Sequence, residues 1–218
     1  MDLSAHLFDY CERTDIGLFG EPLNAASNAA FFYFAWRLWG QAARQGPELA
    51  GKLRWLAVLL GLVGAGSLAF HTVATAWASL LDVLFIAAFN VSFLVIFLRH
   101  VARWSWWQSG AAGCAFVAAD RAAGFALPAG ALNGSILYAP ATAVLLVLSA
   151  WALASAPACG RAMARAAAVF LVSLAFRTLD RSFCPSWAFG THFVWHCLNA
   201  WVLYQLAMAL SLARARPT

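Results

Sequence analysis

Apolar residues run along this chain in seven long stretches, interrupted by short polar or charged connections. The stretches lie near Pro22 to Arg44, Leu53 to Thr75, Ser79 to Leu98, Trp104 to Phe125, Ser135 to Ala156, Arg161 to Phe183 and Thr191 to Ala213. Their lengths approach the ~20 residues that a helix needs to cross the hydrocarbon core of a bilayer. The pattern predicts an all-α protein, a multi-pass integral membrane bundle of seven transmembrane helices. The connections are short, and neither a repeat nor a linker interrupts them, so a single domain is expected over residues 1–218. Abundant Ala and Gly suit the close approach of helices in lipid.

Against this apolar background a few polar residues stand out, because an ionisable side chain within a span is costly and marks a site. His192 and His196 are four apart in GTHFVWHCLN, so a helix presents both imidazoles on one face. Ser67 and His71 have the same spacing in GSLAFHTVAT, and Asp82 opens the next apolar run, where a short turn returns it towards the level of His71. Three histidines form the protein ligand set of a catalytic zinc, leaving the fourth position to water. A carboxylate and a hydroxyl remain beside them.

Composition agrees with a membrane location: 63% of residues are hydrophobic and 11% charged, with a mean hydropathy of +0.74. The net charge of +5 is distributed by topology. Nine of the fourteen basic residues (Arg44, Lys52, Arg54, Arg99, Arg103, Arg161, Arg165, Arg214 and Arg216) fall in the first, third and fifth connections and the C-terminal tail. The positive-inside rule therefore predicts a cytoplasmic C-terminus and an N-terminus outside or in a lumen. His71, Ser67, Asp82, His192 and His196 then converge near the non-cytoplasmic ends of their helices. Basic residues occur singly or in pairs at helix ends, so nucleic acid is excluded as a partner, and no protein partner is implied. The N-terminus lacks a basic region followed by an apolar one, and no cleavable signal peptide is expected.

Before the first stretch, DYCERTDIGLFGE collects Asp9, Glu12, Asp15 and Glu21 on the predicted outer side. Clustered carboxylates attract a hard cation with oxygen ligands, of which calcium is the candidate; the other reading is a solvated acidic segment that complements a helix start. Cys11 and Cys184 fall on this side as well and can pair in an oxidising compartment. Cys114, Cys159 and Cys197 read as small apolar or helix-end residues, and five cysteines leave at least one unpaired.

The assembled motifs resemble the alkaline ceramidase family, membrane hydrolases of the wider CREST superfamily, which is similar to the adiponectin receptors. They are DYCE at Asp9 to Glu12, EPLNAASN at Glu21 to Asn28, GSLAFH at Gly66 to His71, Asp82, LDRSFC at Leu179 to Cys184 and THFVWHCLN at Thr191 to Asn199. The resemblance implies a catalytic zinc on His71, His192 and His196, with Ser67 and Asp82 catalytic. It also implies a disulfide between Cys11 and Cys184, and a calcium site built from Asp9, the carbonyl of Tyr10, Glu12, Thr14 and Glu21. Here the chain departs from the pattern: Thr14 stands where an asparagine is expected, Tyr10 where a tryptophan is expected, and the segment before Glu21 is shorter.

The activity implied is hydrolysis of the ceramide amide to a sphingoid base and a fatty acid. Zinc polarises the carbonyl, Asp82 moves the proton of the attacking water, and Ser67 stabilises the oxyanion. Trp195, Phe193 and Phe70 are candidates to accommodate acyl chains. The alternatives are a zinc hydrolase of another lipid amide or ester, which would use the same residues, and a non-enzymatic zinc-containing membrane receptor, for which Ser67 and Asp82 have no evident use.

Overall fold

A computed structural model describes residues 2–128 and 130–213. Its elements are helical: α1 (Pro22–Ser27), α2 (Ala29–Ala42), α3 (Pro47–Val73), α4 (Ala76–His100), α5 (Trp106–Ala126), α6 (Ala139–Ser155), α7 (Pro157–Phe183) and α8 (His192–Ala209). The 3₁₀ segments Ala131–Tyr138 and Leu210–Leu212 lead into α6 and extend α8. Sequential helices pack on one another, and α2 returns against α8 to close the ring, with α1 wedged between α3 and α8.

Five helices are long and apolar enough to cross a membrane: Pro47–Val73, Ala76–His100, Ala131–Ser155, Pro157–Phe183 and His192–Leu212. The chain is thus an apolar, multi-pass helical protein, while two of the seven expected spans fall short for different reasons. The first is broken at Asn28. Asn28 Nδ2 donates to the carbonyls of Asn24 and Ala25, and Ser27 Oγ donates to the Asn24 carbonyl, so side chains take over acceptors that a continuous helix would use. This leaves α2 with 14 residues, about 21 Å of helix against a core of ~30 Å. In α5 length is sufficient, but Asp120, Arg121 and the polar start WWQSG dilute its hydropathy.

One end of the bundle is organised by the N-terminal segment. α3 stops because Ala74 turns left-handed (φ 51°), its N–H bonding the Phe70 carbonyl at 2.8 Å. The segment then pairs with this turn: Leu7 N donates to the Ala74 carbonyl, Ala76 N to that of Ala5 and Trp77 N to that of Leu3. A disulfide between Cys11 and Cys184, with Cα atoms 5.3 Å apart, ties the same segment to the end of α7. Cys159 is buried and free, and Cys114 and Cys197 are free and exposed. Residues 2–21 therefore lie across the ends of α3, α4 and α7. Of the basic residues used to orient the chain, Arg214 and Arg216 lie outside the described residues.

A candidate metal site at one end of the bundle

His71 occupies the last turn of α3, His192 the first turn of α8 and His196 the next turn of α8. All three are buried, with ring centroids 5.2 Å (His71 to His192), 4.7 Å (His71 to His196) and 4.5 Å (His192 to His196) apart. One nitrogen from each lies within 4.8 Å of the others, and among the described residues they form the group of His, Cys, Asp or Glu side chains arranged to hold a metal. A tetrahedral ion with Zn–N bonds near 2.1 Å needs ligand nitrogens ~3.4 Å apart, a spacing inside that limit.

The hydrogen bonds around the rings leave nitrogens free for such an ion. His71 Nδ1 is 2.5 Å from Glu21 Oε2, and His71 Nε2 is buried with no partner. A carboxylate behind a ligand histidine fixes its tautomer and raises its basicity. His196 Nδ1 meets Ser27 Oγ at 2.7 Å and the Asn24 carbonyl at 3.1 Å, turning Nε2 inward. His192 Nδ1 is buried and unpartnered, and its ring stacks on Tyr10, centroids 3.6 Å apart. Orphaned imidazole nitrogens in a buried pocket are costly unless something binds them, so the donor set fits zinc.

Ser67 and Asp82 flank this cluster. Ser67 Oγ is 3.4 Å from His196 Nε2, and Asp82, whose Oδ1 is buried without a hydrogen-bond partner, lies close to Ser67 in the second turn of α4. Gly66 allows this approach: a Cβ there would sit 3.1 Å from the backbone of Leu81, so the two helices touch at the residue beside Asp82.

A separate apolar cavity lies further along the same helices, and none of the three histidines, Ser67 or Asp82 lines it. It is a partly open space with a cavity volume of about 60 Å³ between α4, α5, α6, α7 and α8. Along α4 its lining begins at Ile86 and Asn90, one and two turns beyond Asp82, and along α8 at Asn199 and Leu203, one and two turns beyond His196. Phe93, Phe116, Tyr138 and Phe170 supply its aromatic walls. A second opening shares Ile86, Asn90, Phe116, Tyr138 and Ala141 with it and reaches Asp120, Arg121 and Arg177. The aromatic residues expected to line it do other work. Trp195 is buried against Tyr138 and Phe170, Phe70 packs beside Tyr10 and His71, and Phe193 is not among the lining residues.

Two positioning residues escaped the sequence reading. Asp180 is fully buried near the end of α7; its Oδ1 accepts from Thr191 N at 2.6 Å and His192 N at 2.9 Å, and its Oδ2 from Cys11 N at 2.9 Å. It therefore caps α8 from another helix and holds His192 at the helix start, where a carboxylate is favoured. Gly190 (φ +62°) makes room, since a Cβ there would lie 2.1 Å from Asp180 Oδ1. Arg13 is the second, buried beneath the N-terminal segment and paired with Glu21 at 2.6 Å. The LDRSFC motif pointed towards Asp180 without a role; for Arg13 no local signal existed.

The residues proposed for calcium do not fit that ion. Glu12 Oε1 and Oε2 accept from Leu23 N and Asn24 N at 2.7 and 2.8 Å, capping α1. Glu21 Oε1 accepts from Arg13, and its Oε2 from Asn24 Nδ2 at 2.9 Å as well as meeting His71. Asp9 and Thr14 are exposed, and the Tyr10 ring lies on His192. Burial raises the Glu12 pKa against two backbone N–H bonds; at Glu21 burial also acts upward, but the bonds from His71, Arg13 and Asn24 prevail and hold it below its ordinary value. Protein donors already satisfy both buried carboxylates.

Fold and site together define a class: a helical membrane protein that gathers three histidines, a serine and an aspartate at one end of an apolar bundle. The ceramidase family model matches residues 5–217, and the chain belongs to that family. It is on that ground a ceramidase-like amide hydrolase with a lipid substrate. A search of curated proteins returned no match.

Proposed function

We propose that the protein is a zinc-dependent amidase that cleaves ceramide to a sphingoid base and a free fatty acid. The observation that carries this reading is the convergence of three buried histidines, with Ser67 beside His196 and Asp82 close to Ser67, at one end of an apolar helical bundle. Zinc held by His71, His192 and His196 would supply a Lewis acid for the amide carbonyl and an acidified water. Asp82 accepts the proton of the attacking water and delivers it to the leaving amine nitrogen. The Ser67 hydroxyl donates to the oxygen of the former carbonyl as charge develops there, a term of roughly 2.7–4 kcal/mol for one preorganised donor. Glu21 and Asp180 orient His71 and His192, and the apolar residues further along α4 and α8 would pack against an aliphatic chain.

The active end is assigned to the non-cytoplasmic face of a seven-span topology, in which α2 and α5 complete the crossing despite their shorter or more polar character. The test is lipid mass spectrometry of the purified protein with a panel of ceramides, acylated amines and lipid esters. Sphingoid base should appear with ceramide, stop after chelation and return with added zinc. Turnover confined to another lipid amide or ester would keep the chemistry and replace the substrate, whereas no turnover of any panel member would favour a receptor.

A further inference from the structure

The Arg13 guanidinium sits in a cage of oxygens. Nε donates to Glu21 Oε1 at 2.6 Å, Nη1 to the carbonyls of Asp15 and Gly17 at 3.0 and 3.1 Å, and Nη2 to the carbonyls of His71 and Thr72 at 2.9 and 3.3 Å. These five acceptors match the five N–H donors of a guanidinium. The Arg13 side chain is wholly buried, and Glu21 is 2% exposed. The loop is wrapped closely on the group: a Cβ on Gly20 would lie 2.9 Å from Nη1.

One carboxylate and four backbone carbonyls are the ligand chemistry of a hard divalent cation, yet here they surround a side chain of the protein itself. Two of the carbonyls belong to the last turn of α3, where orphan acceptors need donors. The same Glu21 carboxylate bonds His71 Nδ1, so the cage and the orientation of a candidate metal ligand share one group. We infer that Arg13 is a built-in cation that replaces calcium in this chain, locking the N-terminal segment onto α3 and positioning His71 through Glu21. The fold at this end is thereby independent of calcium.

The experiment measures thermal unfolding and zinc per chain in detergent for wild type, Arg13→Lys and Arg13→Gln, each with a calcium-selective chelator or with calcium at about 1 mM, near the weak end of protein calcium sites. Wild type should unfold at one temperature in both conditions. Arg13→Gln should unfold at a lower temperature and hold less zinc, and Arg13→Lys, which keeps the charge but not the planar fork, should fall between them. A calcium-dependent rise in wild type would overturn the inference, as would an Arg13→Gln protein with wild-type stability and zinc content. Should Arg13→Gln fail to fold, the wild-type calcium comparison and Arg13→Lys still decide: lysine equal to wild type would reduce the cage to a point charge and reject it.

Discussion

At the scale of single residues, the proposed mechanism gives metal binding to one set of groups and proton transfer to another, and substitutions should separate them. Asp82→Asn is nearly isosteric but cannot accept the water's proton; it should retain zinc in elemental analysis while losing most amide turnover. Ser67→Ala removes one donor, so a fall of about 10²–10³ in kcat with zinc unchanged is expected. His196→Ala should instead lower zinc occupancy itself. The pattern that carried these residues into view was the four-residue spacing of Ser67 with His71 and of His192 with His196, readable because helix geometry converts spacing into a shared face. Arg13 and Asp180 were not readable in that way. Each acts through partners remote in the chain, Arg13 on the carbonyl of His71 and Asp180 on the N–H of Cys11, and no local period encodes such a contact. The acidic segment illustrates the same limit: its charge suggested an added cation, while the arginine that pairs with Glu21 lies within the segment itself.

At the scale of elements, the site depends on how closely α3 and α4 approach and on where α8 begins. Gly66→Ala places a methyl 3.1 Å from the Leu81 backbone, and backbone cannot step aside as a side chain end does. The helices should part by a fraction of an ångström and carry Asp82 with them; because a displacement of ~1 Å near reacting atoms costs on the order of 10²-fold, kcat should fall more than stability. Comparing turnover and unfolding temperature of Gly66→Ala with those of Gly110→Ala, at a glycine with open space around it, checks this, and equal turnover in the two would remove Gly66 from the argument. Asp180→Asn keeps the size but loses the charge that faces two N–H groups of α8; a destabilisation of about 1–3 kcal/mol is expected, accompanied by weaker zinc retention through His192. Helix existence was legible at this scale because long apolar runs have few alternatives. The break at Asn28 was not, since it arises when Ser27 and Asn28 turn their side chains onto the carbonyl of Asn24, and Ser27 also onto His196, a choice that composition does not distinguish from a continuous span.

At the scale of the whole molecule, the remaining question is which side of the membrane the site faces, and two independent observations point the same way. Arg44, Lys52, Arg54, Arg99, Arg103, Arg161 and Arg165 lie about the connections at the end remote from His71 and His192, the distribution that marks a cytoplasmic face. The disulfide between Cys11 and Cys184 lies at the other end, beside the histidines, and such bonds persist on the oxidising side of a membrane. The expected outcome is a metal site that opens to the outer or luminal leaflet, where the amide of a lipid lies at the interface between head groups and chains and reaches a shallow site without leaving the bilayer. Replacing the free Cys114, Cys159 and Cys197 by alanine leaves the disulfide pair intact and permits a clean assay with one added cysteine at a time. Ser4 is exposed in the N-terminal segment, and Gly46 is exposed before α3 with open space where its side chain would project. In intact cells, or in sealed right-side-out vesicles of the host membrane, an impermeant thiol reagent should label Ser4→Cys and spare Gly46→Cys until the membrane is opened. The reverse pattern would turn the site to the cytoplasm, and it would also require the disulfide to survive in a reducing compartment.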